Sequence, residues 1–119
     1  MEGNSIDIIG RGEGLTIEFK RTIRSAEKIA KTIAAFANTS GGVLFIGIED
    51  DGSVSGITSE LKELQKLEKA STENLDPPVQ FLIKSEVISG KKILRVEVGE
   101  SLHKPHLVQN HSGIRMIYI

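Results

Sequence analysis

Five basic residues fall close together in the first third of the chain, in a stretch with only two acidic ones. The basic residues are Lys20, Arg21, Arg24, Lys28 and Lys31. Lysine and arginine side chains neutralise phosphates, and such contacts give mostly sequence-independent, salt-sensitive binding to nucleic acid. Exposed lysines on an amphipathic helix are also an ordinary solvated surface. The cluster therefore predicts either a phosphate-binding surface or a solvated helix face.

One strand and one helix are expected to carry this cluster. Apolar and polar residues alternate over 15–20, which predicts a half-buried strand. Ser25 suits the N-cap of a helix that runs to about Asn38, and the glycine pair 41–42 is its stop signal. At 100° per residue, the basic residues of this segment project opposite the apolar side. The helix should bury one side and present a basic stripe on the other.

A second helix is predicted to begin near Ser59 and to end before the proline pair 77–78. Leu61, Leu64 and Leu67 recur at three-residue spacing and give it one apolar side. The charged residues expected to face solvent are Lys62, Glu63, Lys66 and Lys69.

The remaining segments read as strands. The apolar run 43–48 predicts a central strand covered on both faces, and the Asp51-Gly52 pair predicts a tight turn after it. Two antiparallel hairpins are expected over 79–98 and 106–119. Two helices followed by a run of strands predict an α+β fold with a mixed, mainly antiparallel sheet.

Length and composition limit the function classes. A chain of 119 residues suits a single domain, here 1–119 with a flexible segment expected at 1–12. The absence of cysteine excludes disulfides, thiolate zinc sites and cysteine nucleophiles. The formal net charge of −1 gives no global attraction to nucleic acid or to membranes, so binding must come from local clustering. With no signal peptide or apolar span in the sequence, we expect a cytoplasmic protein without a membrane partner.

Two weaker motifs favour structural roles. The spacing of His103, His106 and His111 fits no standard metal motif, so we expect surface histidines. The glycine-rich segment 10–14 precedes a strand and not a helix, so it does not match a dinucleotide-binding fingerprint. The sequence also lacks the G-x-x-x-x-G-K-[ST] phosphate loop, which argues against ATP hydrolysis.

A longer pattern carries a family resemblance. The segments EGLTIEFK and KIAKTIAAFANTSGGVLFIGIEDDGSVSGI are followed by Pro77-Pro78, KKILRVEV, Lys104-Pro105 and Gly113-Ile114-Arg115. In this order, over about residues 13 to 115, the chain resembles the Schlafen AlbA-like domain family. The family is described as DNA-binding and is sometimes labelled a divergent AAA ATPase. The resemblance implies an α+β fold, a nucleic-acid partner and, by similarity to the Schlafen proteins, a metal-dependent ribonuclease site.

In nuclease-active relatives, the catalytic acids are two glutamates of an E-x-x-x-x-E-F-K motif and a later aspartate. The resemblance places them here at Glu13, Glu18 and either Asp50 or Asp51. Oxygen ligands of this kind hold Mg²⁺ or Mn²⁺. Residues five apart on a regular strand point to opposite faces, so Glu13 and Glu18 converge only if Gly14 allows a bend.

These observations lead to one main hypothesis and two alternatives. The main hypothesis is a nucleic-acid-binding domain that needs no cofactor and acts through phosphate contacts. Its expected contact residues are Lys20, Arg21, Arg24, Lys28, Lys31 and Arg115. The first alternative is a Mg²⁺- or Mn²⁺-dependent endoribonuclease using Glu13, Glu18 and Asp50. The second is a homodimerising interaction module whose apolar end, IRMIYI, pairs as an edge strand. The sequence leaves DNA against RNA, and single against double strands, open.

Overall fold

The computed structural model describes residues 3–119. In chain order the elements are α1 (Ser5–Gly10), β1 (Ile17–Lys20), α2 (Ala26–Asn38), β2 (Gly42–Ile46), α3 (Glu60–Lys69), a π-helical turn (Ala70–Asn74), β3 (Leu75–Asp76), β4 (Leu82–Ile88), β5 (Lys91–Val98), β6 (Leu107–Gln109) and β7 (Arg115–Ile117).

A four-stranded sheet in the order β1-β2-β5-β4 forms the centre of the domain. Strands β1 and β2 are parallel and joined through α2, whereas β5 is antiparallel to both of its neighbours. All five residues of β2 are buried, as expected for a central apolar strand. The predicted α+β fold with a mixed, mainly antiparallel sheet is therefore confirmed, as is the hairpin of β4 and β5.

Helix α2 covers one face of this sheet. Its N-cap is Ser25, whose side chain accepts a hydrogen bond from the backbone N–H of Lys28, so the predicted start is confirmed. The apolar side of α2, including Ile33 and Ala34, is fully buried against strand residues such as Leu44. The helix stops before Gly41, which has a φ of +79° and would bring a Cβ to 2.6 Å from the Val98 carbonyl oxygen. Glycine is needed there for both reasons.

Helix α3 packs beside α2, and its buried side only partly matches the one that the leucine spacing predicted, because Leu64 and Leu67 pack on the core but Leu61 does not. Leu67 is fully buried, but Leu61 is 66% exposed. Glu63, expected to face solvent, is only 3% exposed. Glu63 lies one helical turn before Leu67, so both side chains are on the side that faces the protein interior.

Strands β3, β6 and β7 form a second, three-stranded antiparallel sheet. The predicted hairpin over 106–119 is therefore confirmed. Asn38, at the end of α2, connects this sheet to the helix by hydrogen bonds. Its Nδ2 donates to the carbonyl oxygens of His106 and Tyr118, and its Oδ1 accepts from the His106 N–H. These bonds anchor both ends of the β6–β7 hairpin to helix α2.

The opposite face of the central sheet is partly covered by α1. Ile8 and Ile9 of this helix are buried against Phe19, Phe45 and other residues of that face. Arg95 of β5 is also buried there, and its Nη1 donates to the Gly3 carbonyl and to the Ser5 hydroxyl. The sequence pattern predicted only a flexible segment here, because a six-residue helix has too little periodicity to recognise.

Strand β1 is shorter than predicted. The strand expected over 15–20 begins at Ile17, because the Gly14 N–H donates to the Ile17 carbonyl and closes a tight turn. Leu15 lies in that turn and is 95% exposed. Across the described residues, 3–119, no helix is long and apolar enough to cross a membrane.

Candidate functional site

A cleft opens where the parallel strands β1 and β2 end. It has a volume of about 450 Å³. The charged residues that line it are Lys20, Arg21, Arg24, Lys28, Glu49 and Asp50. In sheets with parallel strands, ligands commonly bind beyond the carboxyl ends of the strands, where the loops diverge. We call this surface the basic cleft, because four cations and two carboxylates line it.

The loop between β1 and α2 forms one wall of the basic cleft and is held from behind by α3. Both carboxylate oxygens of the buried Glu63 accept from the Thr22 hydroxyl, at 3.0 and 2.9 Å, and they also accept the Ile23 N–H at 3.3 Å. Lys66 donates to the Ile23 carbonyl at 2.5 Å and lies 3.5 Å from Glu63. These contacts fix the loop that carries Arg21 and Arg24.

The cations of the basic cleft are largely available to a ligand. Arg21, Arg24 and Lys28 are exposed, and none of them forms an ion pair with another residue in the range 3–119. Lys20 lies 3.7 Å from Glu18 in an ion pair that leaves it 45% exposed. The N-terminal end of α2, with its partial positive charge, adjoins the same cleft. The combination suits a polyanion such as a phosphate backbone.

The two neighbouring aspartates of the β2–α3 connection differ in their roles. Asp51 accepts hydrogen bonds from the Ser53 hydroxyl at 2.6 Å and from the Ser53 N–H at 2.9 Å. These bonds lower the pKa of Asp51 below its usual value and tie it into the turn. Asp50, by contrast, lines the basic cleft. Of the two aspartates that the family resemblance left open, Asp50 is therefore the one that lines the cleft.

Glu13 and Glu18 meet at the other end of β1. The tight turn at Gly14 brings the two carboxyl groups close enough to interact, which answers the spacing problem raised by their separation of five residues. Glu13 also accepts the Phe19 N–H at 3.2 Å, and Glu18 accepts from the Thr32 hydroxyl at 3.4 Å. Burial, together with the neighbouring Glu13, raises the pKa of Glu18 above its usual value, although Lys20 opposes the shift.

The structure does not bring all three predicted catalytic acids together. Glu13 and Glu18 form a pair, whereas Asp50 lines the basic cleft beyond the opposite end of β1. Over the described part of the chain, no three histidine, aspartate or glutamate side chains lie close enough to hold a metal ion. The arrangement therefore does not form a three-carboxylate Mg²⁺ or Mn²⁺ site.

Two of the predicted contact residues lie outside the basic cleft. Lys31 places its Nζ 5.4 Å from the centre of the Tyr118 ring, in a cation–π contact. Arg115 of β7 is 3.4 Å from Asp76 and donates to Gln109 at 3.0 Å. The predicted set of six cations is thus divided between the basic cleft, the far side of α2 and the second sheet.

The histidines are not all on the surface. His103 and His111 are exposed, as expected, but His106 is 2% exposed and the prediction is wrong for it. Its Nδ1 lies 2.6 Å from the Pro77 carbonyl oxygen and its Nε2 lies 2.6 Å from the Ser101 hydroxyl. His106 therefore links the loop that follows β3 to the loop between β5 and β6.

Sequence reasoning missed Glu63 and Glu49. The position of Glu63 one helical turn before Leu67 was the available signal for its burial. No pattern in the sequence indicated that Glu49 would line the cleft beside the cations. Its Oε2 is buried and accepts no hydrogen bond from any residue within 3–119.

Comparison with known proteins agrees with the fold. Residues 13–119 match the family described as Schlafen, AlbA_2. The N-terminal domain of a RecG-related protein from Nitrosomonas europaea has a TM-score of 0.70 and 25% identity, over 96% of this chain and 85% of that one. The DIP2311 protein from Corynebacterium diphtheriae shares the fold, with a TM-score of 0.57 and 22% identity. That match covers 88% of this chain but only 21% of DIP2311.

Proposed function

Because the chain belongs to the Schlafen AlbA_2 family, we propose that it binds nucleic acid through phosphate contacts in the basic cleft. The observation that carries the proposal is the convergence of Lys20, Arg21, Arg24 and Lys28 on one concave surface. The Nitrosomonas relative, which is named for its relation to an ATP-dependent DNA helicase, supports a nucleic-acid ligand.

The charge distribution favours local binding over general attraction. The whole chain has a formal net charge of −1, so its cations attract a polyanion only where they outnumber the acids. In the basic cleft, four cations face two carboxylates. Phosphate contacts of this kind release counterions, so affinity should fall steeply as salt rises.

The first prediction concerns Arg24. Arg24→Glu should weaken binding of labelled oligonucleotides by about tenfold at low salt and reduce the salt dependence by about one phosphate contact. Fluorescence anisotropy at two salt concentrations, with single- and double-stranded DNA and RNA, measures both quantities.

Lys62→Glu is the matched control, because Lys62 is an exposed cation on α3 that does not line the basic cleft. Its charge change equals that of Arg24→Glu. Equal affinities for the two variants would reject the basic cleft as the binding surface.

A metal-dependent ribonuclease is the second candidate, and the convergence of Glu13 with Glu18 is the observation that favours it. It predicts that RNA is shortened in the presence of Mg²⁺ or Mn²⁺, that a chelator stops the reaction, and that Glu18→Gln abolishes it. RNA that stays intact on a gel with either metal would reject this function and leave the binding proposal unaffected.

A homodimer remains a third prediction. Strand β7 is an edge strand, and its neighbourhood exposes Ile114, Met116, Ile117 and Ile119. Edge strands of this kind pair readily with another chain. Light scattering at micromolar concentration tests the prediction, and a monomer mass would contradict it.

A further inference from the structure

A second concave surface lies on the other flank of α2. It has a volume of about 760 Å³. Three lysines line it, Lys28 and Lys31 from α2 and Lys69 from α3, together with Glu27 and Glu73. Asn110 and His111, in the loop between β6 and β7, form the opposite wall. We call this surface the polar groove.

Lys28 belongs to both surfaces. It lines the basic cleft on one side and the polar groove on the other. At 100° per residue, Ile29 of the cleft and Lys31 of the groove project to opposite flanks of Lys28. Lys28 is therefore a ridge between two neighbouring hollows, and a ligand that occupies both must change direction over the first turns of α2.

The side chains of the polar groove suit a ligand with both phosphates and hydrogen-bonding groups. Its lysines can contact phosphate oxygens, and the amide of Asn110 can donate or accept. Asn74 also lines the groove and is 8% exposed. Its Nδ2 donates to the Gln109 carbonyl at 2.8 Å, while its buried Oδ1 accepts from no residue in the range 3–119. This oxygen has almost no accessible surface, so contacts to a ligand fall to the lysines and to Asn110.

From these observations we propose that a single strand of nucleic acid runs from the basic cleft over Lys28 into the polar groove, where Lys69 contacts its backbone. The proposal rests on the binding function of the basic cleft and names the form of its ligand. A single strand turns between two hollows at little cost, whereas a duplex resists bending over so short a distance, because its persistence length is about 150 base pairs. Lys69 becomes a binding residue on α3, outside the basic stretch that the sequence pattern connects with nucleic acid.

Oligonucleotide length separates the two surfaces. A strand of about 4 nucleotides should fill one surface only, whereas one of about 12 nucleotides should reach both. We expect Lys69→Glu to weaken anisotropy-detected binding of the long strand by about tenfold and of the short strand by less than about twofold. Lys69→Arg should restore the affinity for the long strand, because it keeps the charge.

Controls make the outcome decisive. Lys62→Glu changes the same charge on the same helix away from the groove and should leave both affinities unchanged. Lys69→Gln, with its smaller change, is the second variant if Lys69→Glu does not fold by circular dichroism. If Lys69→Glu binds the long strand as Lys62→Glu does, or weakens duplex binding as much as single-strand binding, the path is overturned. If Arg24→Glu also leaves the short strand unaffected, the binding function itself fails.

Discussion

The two ends of strand β1 carry opposite charge chemistry. At its start, the carboxyl groups of Glu13 and Glu18 meet beside Thr32. At its end, Lys20 and the following loop bring cations into the basic cleft. Only a four-residue strand lies between them, and the 3.7 Å ion pair of Glu18 and Lys20 links the two ends.

The two ends differ in whether their charged groups interact with a neighbouring charged side chain. Burial, together with the neighbouring carboxyl group of Glu13, disfavours the ionised form of Glu18 and raises its pKa. The cations at the other end include three with no ion-pair partner among residues 3–119: Arg21 and Arg24 on the loop that Glu63 holds, and Lys28 on α2. Unpaired, exposed cations are suited to binding anions, whereas the paired carboxylates are suited to holding a proton or a cation.

The largest effect should come from the loop support at the cationic end. Glu63→Gln removes one carboxylate acceptor from the Thr22 hydroxyl and the buried Ile23 N–H, and it should lower the free energy of unfolding by about 2 kcal/mol. Chemical denaturation measures this change. Glu68→Gln, an exposed substitution on the same helix, is the control and should change stability by less than about 0.5 kcal/mol. Equal stability of the two variants would show that Glu63 does not hold the loop.

A smaller effect is expected at the acidic end. Because the pKa of Glu18 is raised in the folded state, its contribution to stability is fully present below pH 4.5 and is lost as pH rises through the folded pKa. Glu18→Gln should therefore be more stable than the wild type at neutral pH, by less than about 1 kcal/mol, because the side chain is 33% exposed. Thermal unfolding between acidic and neutral pH tests this. A variant less stable than the wild type at neutral pH would contradict the raised pKa.

The smallest effect should come from the ion pair that links the two ends. The positive charge of Lys20 lowers the pKa of Glu18, against the effect of burial. Lys20→Gln should therefore move the titration of Glu18 to still higher pH, as followed by NMR of its carboxyl carbon. A titration that is unchanged, or moved to lower pH, would mean that Lys20 does not interact with Glu18 in solution.

The elements that the sequence predicted correctly have local signals. Ser25 caps α2, and the spacing of apolar and basic residues along this helix identifies its buried side. The central strand β2 was recognisable from its continuous apolar run, and the two hairpins from their alternation and turn residues. These signals depend on a few neighbouring residues, so they can be read without knowing the fold.

The incorrect predictions concern residues whose surroundings come from distant segments. Glu63 is buried because its carboxylate meets Thr22 and Ile23, about 40 residues away in the chain. His106 is buried where its Nδ1–H donates to the Pro77 carbonyl oxygen and its Nε2 meets the Ser101 hydroxyl. Local patterns cannot show such pairings, because polar residues are buried only where the fold supplies a hydrogen-bond partner.

The sequence by itself determined the α+β class, the basic stretch between β1 and α2, and the family. Only the tertiary structure decided which charges act together. It closed the turn at Gly14 that pairs Glu13 with Glu18, and it carried Asp50 into the basic cleft instead. The physical reason is that side-chain type and local periodicity are properties of neighbouring residues, whereas the grouping of charges depends on how the parallel strands β1 and β2 align and where their loops leave the sheet.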